Sequence, residues 1–301
     1  MNFVQLRYFA AVAEHKSLTR AAVALRVAQP AITRQIKLLE SELATPLVTR
    51  HPRGVELTEA GIVLFRRAEF LLRNLEQTRT EISDLSGAPS GSLRIGCTPA
   101  LTRRLVVNPL HRFLKQYPSV SIALQEGISD QLCNAVLADQ LDIAVISAKE
   151  PKPYLRTTPL FSEEIWLFGP PKGRKRRDAV PLETVATLPL LLARRTQTTR
   201  EIVENRMAAA GMRLNLIVET DSVQTIQELV LRGVGYTVAP YSALAACVDS
   251  GAMSGAPIRD FLIQRALIHR SDRPISRAMH EFSRMIQAEA KLFKRERPRI
   301  R

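Results

Sequence analysis

Between Ser17 and Glu40 the chain reads SLTRAAVALRVAQPAITRQIKLLE, a helix-forming run of alanine and leucine interrupted by Gln29, Pro30, Thr33, Arg34 and Gln35. An amide, a hydroxyl and a guanidinium have no use in an apolar core, but they match the hydrogen-bonding edges of bases. Gln29 suits N6 and N7 of adenine, Arg34 suits O6 and N7 of guanine, and the methyl groups of Ala31 and Thr33 suit that of thymine. A good bidentate pair of this kind discriminates by about 1–3 kcal/mol. Arg20, Lys37, Arg50 and Arg53 are the cations placed to hold phosphates, which position a reader without reading sequence. Ile32, Ile36 and Leu39 recur at i, i+4 and i+7, so they form the opposite face and answer to the protein core.

The elements that must position these groups follow from periodicity. Leu6, Phe9, Ala10 and Ala13, then Leu18, Ala21, Ala22 and Leu25, predict two short helices, the second capped by the Ser17 hydroxyl. Arg26 and Val27 suit a brief break. Pro30 then fits the first turn of a third helix over about Gln29 to Leu43, because a first-turn N–H has no intrahelical partner to lose. Two helices joined by a short break, the second carrying base-matching groups, predict a helix-turn-helix whose second helix enters the DNA major groove. Residues 46–57 alternate apolar and polar around Pro52 and Gly54, the pattern of a two-stranded basic wing. Thr58 then caps a helix over 59–86, with Ile62, Phe65, Leu72, Leu75, Ile82 and Leu85 spaced by threes, fours and sevens. So long and one-sided a helix is expected to pair with a second copy of itself. The composition of SGAPSGS, 86–92, is that of a linker, with the hinge at 87–91. Beyond it, the apolar runs SLRIGC, VSIALQEG, LDIAVIS, PLLLARR, LNLIVET and GYTVAP are separated by amphipathic stretches, which predicts parallel strands with crossover helices.

Composition bounds the reading. The 301 residues suffice for two or three modest domains, and 46% apolar residues with no uninterrupted run near ~18 predict a soluble globular chain. The N-terminus has no basic region leading into an apolar block, so a cytoplasmic location is expected. The formal charge of +14 suits a partner that is a polyanion. Its distribution tempers that inference. Residues 1–57 hold eight Lys and Arg against four Glu, whereas loop 172–178 holds five against one and tail 291–301 six against one. Cys97, Cys133 and Cys247 form no C-x-x-C pair and are expected to be inert thiols, with no zinc site and no disulfide framework.

The run SLTRAAVALRVAQPAITRQIKLLESEL, followed by PLVTRHPRGVELTEAG, resembles the DNA-binding domain of the LysR-type transcriptional regulators over residues 1 to about 86. GSLRIGCTPAL, FLKQYPSVSIALQEG, QLDIAVIS and LVLRGVGYTVAP resemble, more loosely, the co-inducer domain of that family. Within it the chain is most similar to the nitrogen assimilation control group, by its N-terminal phrasing and QLDIAVI, and no ligand is carried over. The resemblance implies an α/β fold overall. A winged helix-turn-helix at 1–58 and a dimerisation helix at 59–86 would precede an effector-binding domain at 92–301 of two α/β subdomains of periplasmic-binding-protein type. Subdomain I would hold about 92–162 and 268–301, and subdomain II about 163–267, with the chain crossing near Phe161–Leu167 and returning near Gln264–His269. A small-molecule effector would bind between them, at positions that fall on Thr98, Ser129 and Ser147 and on Arg195 and Thr198 of ARRTQTT. Ala100 and Leu101 stand where some relatives carry polar ligand groups. Residue chemistry points to the same place: Thr98 and Ser129 each follow a strand and precede a helix, where hydroxyls and first-turn amides can hold an anion. Double-stranded DNA, a second copy within a tetramer, the effector and RNA polymerase are the implied partners, and activation and repression both stay open.

Three other classes are weighed against this reading. An enzyme lacks support, since the chain shows no G-x-G-x-x-G, no Walker loop, no G-x-S-x-G and no metal-ligand spacing among His15, His51, His111, His269 and His280. A solute-binding protein would account for the C-terminal two-thirds alone. An architectural DNA binder would bind specific and random duplexes alike, where a sequence reader separates them by several kcal/mol.

Overall fold

Asn2 and Gln5 open the first helix with a reciprocal cap, each side chain accepting the other's backbone N–H, and α1 runs over Phe3–His15. Lys16, left-handed at φ 49°, ends it. The Ser17 hydroxyl accepts from Arg20 N–H at 3.3 Å and opens α2, Leu18–Leu25, as its sequence position predicts. Arg26, at φ 55°, makes the expected break, and α3 covers Gln29–Glu42 with Pro30 in its first turn. The computed structural model describes residues 1–52, 54–84, 87–148, 151–171, 178–195 and 198–295, so Arg53, most of the basic loop and the end of the tail lie outside the described residues. Two compact units result, Met1–Gly87 and Ala88–Arg301.

In the first unit, β1 (Val48–His51) and β2 (Gly54–Leu57) form the expected antiparallel wing, with Arg50 opposite Val55. The wing is tied to the α1–α2 turn: Val55 N–H donates to the Lys16 carbonyl at 3.0 Å. Gly54 permits the approach, since its φ is +141° and a Cβ there would stand 2.6 Å from the same carbonyl. Thr58 caps α4, Glu59–Asp84, by accepting from Gly61 N–H at 3.0 Å. Leu64 and Phe65 pack on Phe9, Leu39 and Leu47, while Ile62, Val63, Leu71 and Ile82 leave apolar surface exposed.

The second unit opens with β3, Gly91–Cys97, so Gly91 is a paired strand residue and not part of the expected hinge. There follow α5 (Pro99–Leu101), a π-helical turn (Thr102–Val106), α6 (Val107–Gln116), β4 (Val120–Glu126), α7 (Ser129–Leu137), β5 (Ile143–Ser147) and β6 (Leu155–Gly169). Next come α8 (Leu182–Thr187), β7 (Leu190–Leu192), α9 (Thr198–Ala209), β8 (Leu216–Glu219) and α10 (Val223–Leu231). The chain closes with β9 (Thr237–Pro240), α11 (Tyr241–Asp249), β10 (Ser254–Arg270) and α12 (Arg277–Arg295). Each of the six apolar runs named from the sequence contains a strand. The expected uniform parallel order is not met: β3 is parallel to β4 and β5, but β10 is antiparallel to β5 and β6, and β6 to β9.

β6 and β10 run side by side through both halves of this unit, in the six-stranded order β4-β3-β5-β10-β6-β9. Their register breaks between Pro257 and Leu262 and again between Arg265 and Ala266. The first lies within one core and the second falls where the ribbon leaves that core for the other. Phe161 and Leu267 pack in a core with Leu93, Ile95 and Phe282, whereas Ile165 and Ile263 pack in another with Leu190, Val203 and Val238. Two α/β subdomains thus share one antiparallel ribbon.

Burial pushes the Cys97 thiol up to about 12 against a hydrogen bond from Thr102, and Cys133 is buried as well. Only the thiolate is nucleophilic. Alkylation at neutral pH is therefore expected to mark Cys247, the more accessible thiol, and to reach Cys97 and Cys133 only after unfolding, as peptide mapping would show.

Candidate functional site

On α3 three of the four residues read as base-facing, Gln29, Thr33 and Arg34, lie in two adjacent rows, and Ala31 lies outside them. Gln29, Thr33 and Lys37 follow one another at four-residue steps, as do Pro30, Arg34 and Leu38, and the six line one shallow concavity. Ile32, Ile36 and Leu39 are fully buried on the far side, packed with Val12, Ala21, Ala22 and Val55 or with Phe9 and Leu47. Pro30, Ala31, Arg34 and Lys37 are exposed. Gln29 Nε2 donates to Thr33 Oγ1 at 2.8 Å, which ties that amide to the neighbouring turn of the helix. Arg20 on α2 and Arg50 on β1 are exposed cations flanking the helix in sequence. Leu38 was not anticipated; an apolar residue off the buried 32/36/39 stripe was the available signal.

In the second unit a cleft of about 320 Å³ opens between the subdomains, at the low end for small-molecule sites. Thr98, Ser129, Ser147 and Thr198, four of the five residues expected there, line it together. Arg195 does not. It stands before α9 with its side chain 78% exposed, and its Nε donates to Glu204 at 3.1 Å. The arginine that lines the cleft is Arg200, just past that segment and 4% exposed, which sits inside α9 one turn before Glu204. It donates to the Ala193 carbonyl at 3.1 Å and to Glu204 at 2.7 Å. Burial pushes the Glu204 carboxyl up, but hydrogen bonds and charge from Arg200 and Arg195 outweigh it and hold the group below its usual range.

The hydroxyls do different work from the capping expected of them. Ser129 is the first residue of α7, whose cap position is Ile128, and its Oγ accepts from Ser147 N–H at 3.1 Å. Thr98 occupies the cap position of α5, yet its Oγ1 is buried with no hydrogen-bond partner, as is that of Thr198. Arg265 and Glu163, from the shared ribbon, also were not anticipated. Arg265 lines the cleft, its Nη1 donates to Ser147 Oγ, and its Nε donates to Glu163 Oε2 at 2.7 Å. Glu163 Oε1 accepts from Ser242 N–H, at the start of α11, at 2.6 Å. A chain of hydrogen bonds therefore runs from α7 in one subdomain to α11 in the other.

Among the described residues no group of His, Cys, Asp and Glu is placed to hold a metal, and no helix is long and apolar enough to cross a membrane. Residues 3–62 match the model of the bacterial regulatory helix-turn-helix protein, lysR family, and residues 86–291 match the LysR substrate binding domain. The chain is 33% identical over 248 residues to the nitrogen assimilation regulatory protein nac of Klebsiella aerogenes, which covers 81% of this chain and 79% of that one. It is 30% identical over 294 residues to the transcriptional regulator BbuR of Bordetella bronchiseptica, covering 97% and 90%. Among solved structures, full-length CbnR complexed with its target DNA superposes with a TM-score of 0.72 at 22% identity, over 96% of this chain and 100% of that one. Full-length BenM does so with a TM-score of 0.60 at 24% identity, over 99% and 100%. Two consecutive domain matches that together span nearly the whole chain, on a winged helix-turn-helix followed by two α/β subdomains, establish that this protein belongs to the LysR-type transcriptional regulators, sequence-specific DNA-binding proteins with an effector-binding domain.

Proposed function

We propose that α3 reads the major groove through Gln29, Ala31, Thr33 and Arg34, with Pro30 setting the helix entry, while Arg20, Lys37, Arg50 and Arg53 hold phosphates. The observation that carries this is the division of α3 into a fully buried apolar face and an outward concavity of polar groups. In the same reading a small molecule binds in the cleft through Thr98, Ser129, Ser147 and Thr198 and shifts the population of subdomain orientations. The exposed apolar residues of α4 support self-association through residues 59–84, within a tetramer. Contact with RNA polymerase, a cytoplasmic location and the absence of catalysis complete the proposal. A kinship with the nitrogen assimilation control group rests on the phrasing of residues 17–43 and the 33% identity, which BbuR at 30% nearly equals, so no effector is transferred.

Arg34→Ala is expected to lower affinity for a duplex selected from a random pool by about 1–3 kcal/mol and to leave random duplex nearly unaffected. Arg50→Ala should weaken both equally and reduce the slope of log K against log salt by about one. Titration by fluorescence anisotropy at several salt concentrations separates the two, and equal losses on both duplexes for Arg34→Ala would show that α3 is not the reader.

A further inference from the structure

We infer that Arg104 is a positioning residue that clasps the two subdomains in one orientation; what that orientation does rests on the reading above, in which it carries the signal to DNA. The guanidinium carbon of Arg104 lies 5.8 Å from the ring centre of Tyr241 and 5.9 Å from that of Phe293. A cation within about 6 Å of a ring centre is attracted by the negative face of the ring. Leu101, Leu105 and Val106, which flank Arg104 in sequence, are buried in the core that contains Phe161 and Phe293. Tyr241 opens α11 and packs against the core that contains Trp166 and Phe168. One side chain therefore holds an aromatic ring of each subdomain.

Three observations separate this contact from ordinary packing. Arg104 is half-buried, and among the described residues it has no hydrogen bond and no ion pair, so its charge is met by the two rings. It sits in the π-helical turn, where Val107 N–H donates to the Thr102 carbonyl five residues back. Turns of that kind are rare and occur frequently at functional sites. Both rings are also tied to β6: Phe293 stands 5.0 Å from Phe161, and Tyr241 stands 4.6 Å from Trp166. Contacts thus run from Phe161 through Phe293, Arg104 and Tyr241 to Trp166, beginning in one core and ending in the other. The Tyr241 hydroxyl donates to Asp249 Oδ1 at 3.0 Å, which ties the ring to its own helix.

The ribbon of β6 and β10 joins the subdomains along one line, and the Arg265–Glu163 pair lies on it. A joint along one line leaves rotation about that line free. Arg104 and Tyr241 stand outside the ribbon, so their contact opposes that rotation. A reorientation that parts α11 from the π-helical turn breaks the contact with Tyr241 and keeps the one with Phe293, which lies within a single subdomain. Arg104 therefore favours one orientation by the worth of a single cation–π contact, about 2- to 30-fold in population. A bias of that size is within reach of a ligand bound in the cleft.

The test measures orientation directly, by pulsed electron paramagnetic resonance on the full chain. Spin labels are placed on Ala246→Cys and Gln287→Cys, exposed positions of α11 and α12, in a Cys247→Ser background, and the labelled chain is diluted into unlabelled chain. Arg104→Met keeps an apolar stem without the charge and is expected to broaden or shift the distance distribution, as is Tyr241→Leu. Arg104→Lys and Tyr241→Phe keep a cation and a ring, and both are expected to retain the parent distribution. The double variant Arg104→Met with Tyr241→Leu should change it no further than either single variant. A side chain that merely filled space would be replaced by methionine without effect. The inference is overturned if Arg104→Met keeps the parent distribution, if Arg104→Lys alters it as much as Arg104→Met, or if the two single changes add. Should Arg104→Met fail to fold, Tyr241→Leu against Tyr241→Phe decides the same question from the other side of the contact. DNase footprints of the same variants separate this inference from the reading on which it rests. A changed distance with an unchanged footprint would remove the link between orientation and DNA and leave the clasp standing. A changed footprint with an unchanged distance would remove the clasp alone.

Discussion

Glu163→Ala is expected to destabilise residues 88–301 by about 3–5 kcal/mol, the cost of leaving a buried charge without its partner. Glu163 is fully buried, accepts from Arg265 Nε at 2.7 Å and from Ser242 N–H at 2.6 Å, and alanine would leave both donors stranded. The pair lies on the ribbon shared by the two subdomains, so its loss touches both cores. Removing both charges is a different experiment. Well-packed apolar residues in place of Glu163 and Arg265 should recover most of the loss, because the pair's own desolvation cost disappears with it. Trp166, the single tryptophan of the chain, reports this region directly. It stands three residues along β6, its Nε1 donates to Glu164 at 3.1 Å, and its ring lies 4.6 Å from that of Tyr241. Urea unfolding followed by its fluorescence should show a lowered midpoint for Glu163→Ala and near-recovery for the double apolar variant. A single variant as stable as the parent would mean that the ion pair is dispensable.

The second large effect is Gly61→Ala. An alanine inside a helix ordinarily gains about 1 kcal/mol over glycine. Here the Cβ would lie 2.1 Å from the Leu47 carbonyl oxygen and 3.1 Å from its carbon, and that obstacle is backbone that cannot rotate away. The carbonyl is itself held, since it accepts from Thr58 N–H at 3.1 Å, while Thr58 Oγ1 donates to Pro46 at 2.7 Å. α4 must therefore lift off the start of the wing, for a loss of about 2–3 kcal/mol of the kind produced by overpacking. The sign is what decides. Far-UV circular dichroism and limited proteolysis should show Met1–Gly87 melting or being cut at lower temperature than in the parent, with DNA binding lost in parallel. A stabilised variant would refute the close approach.

Much of the first unit was legible because its information is local. Ser17, Arg26 and Pro30 each act on residues no more than four positions away, as does Thr58 in capping Gly61, and the stripe of Ile32, Ile36 and Leu39 needs only the helical period to be placed. The six short strands were equally visible as apolar runs. The two long strands were not, although the sequence placed the crossing points near them. β6 and β10 serve a different core at each end, so their apolar positions change partners along the strand, near Arg265 on β10, and present no single alternation.

The cleft divides in the same way. Thr98, Ser129, Ser147 and Thr198 could be named because each belongs to a short segment of recognisable phrasing, whereas Arg200 lies just past the segment from which Arg195 was taken, and only its place inside α9 buries it while Arg195 stays exposed. Arg265 and Glu163 carried no sequence signal at all. They stand 102 positions apart, and Arg265 reaches Ser147 across 118. The sequence alone determined the helices of the first unit, the Ser17 and Thr58 caps, the buried face of α3 and the α/β character of the remainder, since these depend on spacing within a few turns or a single strand. Only the tertiary structure decided which polar groups share the cleft and which of them are left unsatisfied, because those properties arise when strands distant in the chain are brought side by side and water is excluded between them.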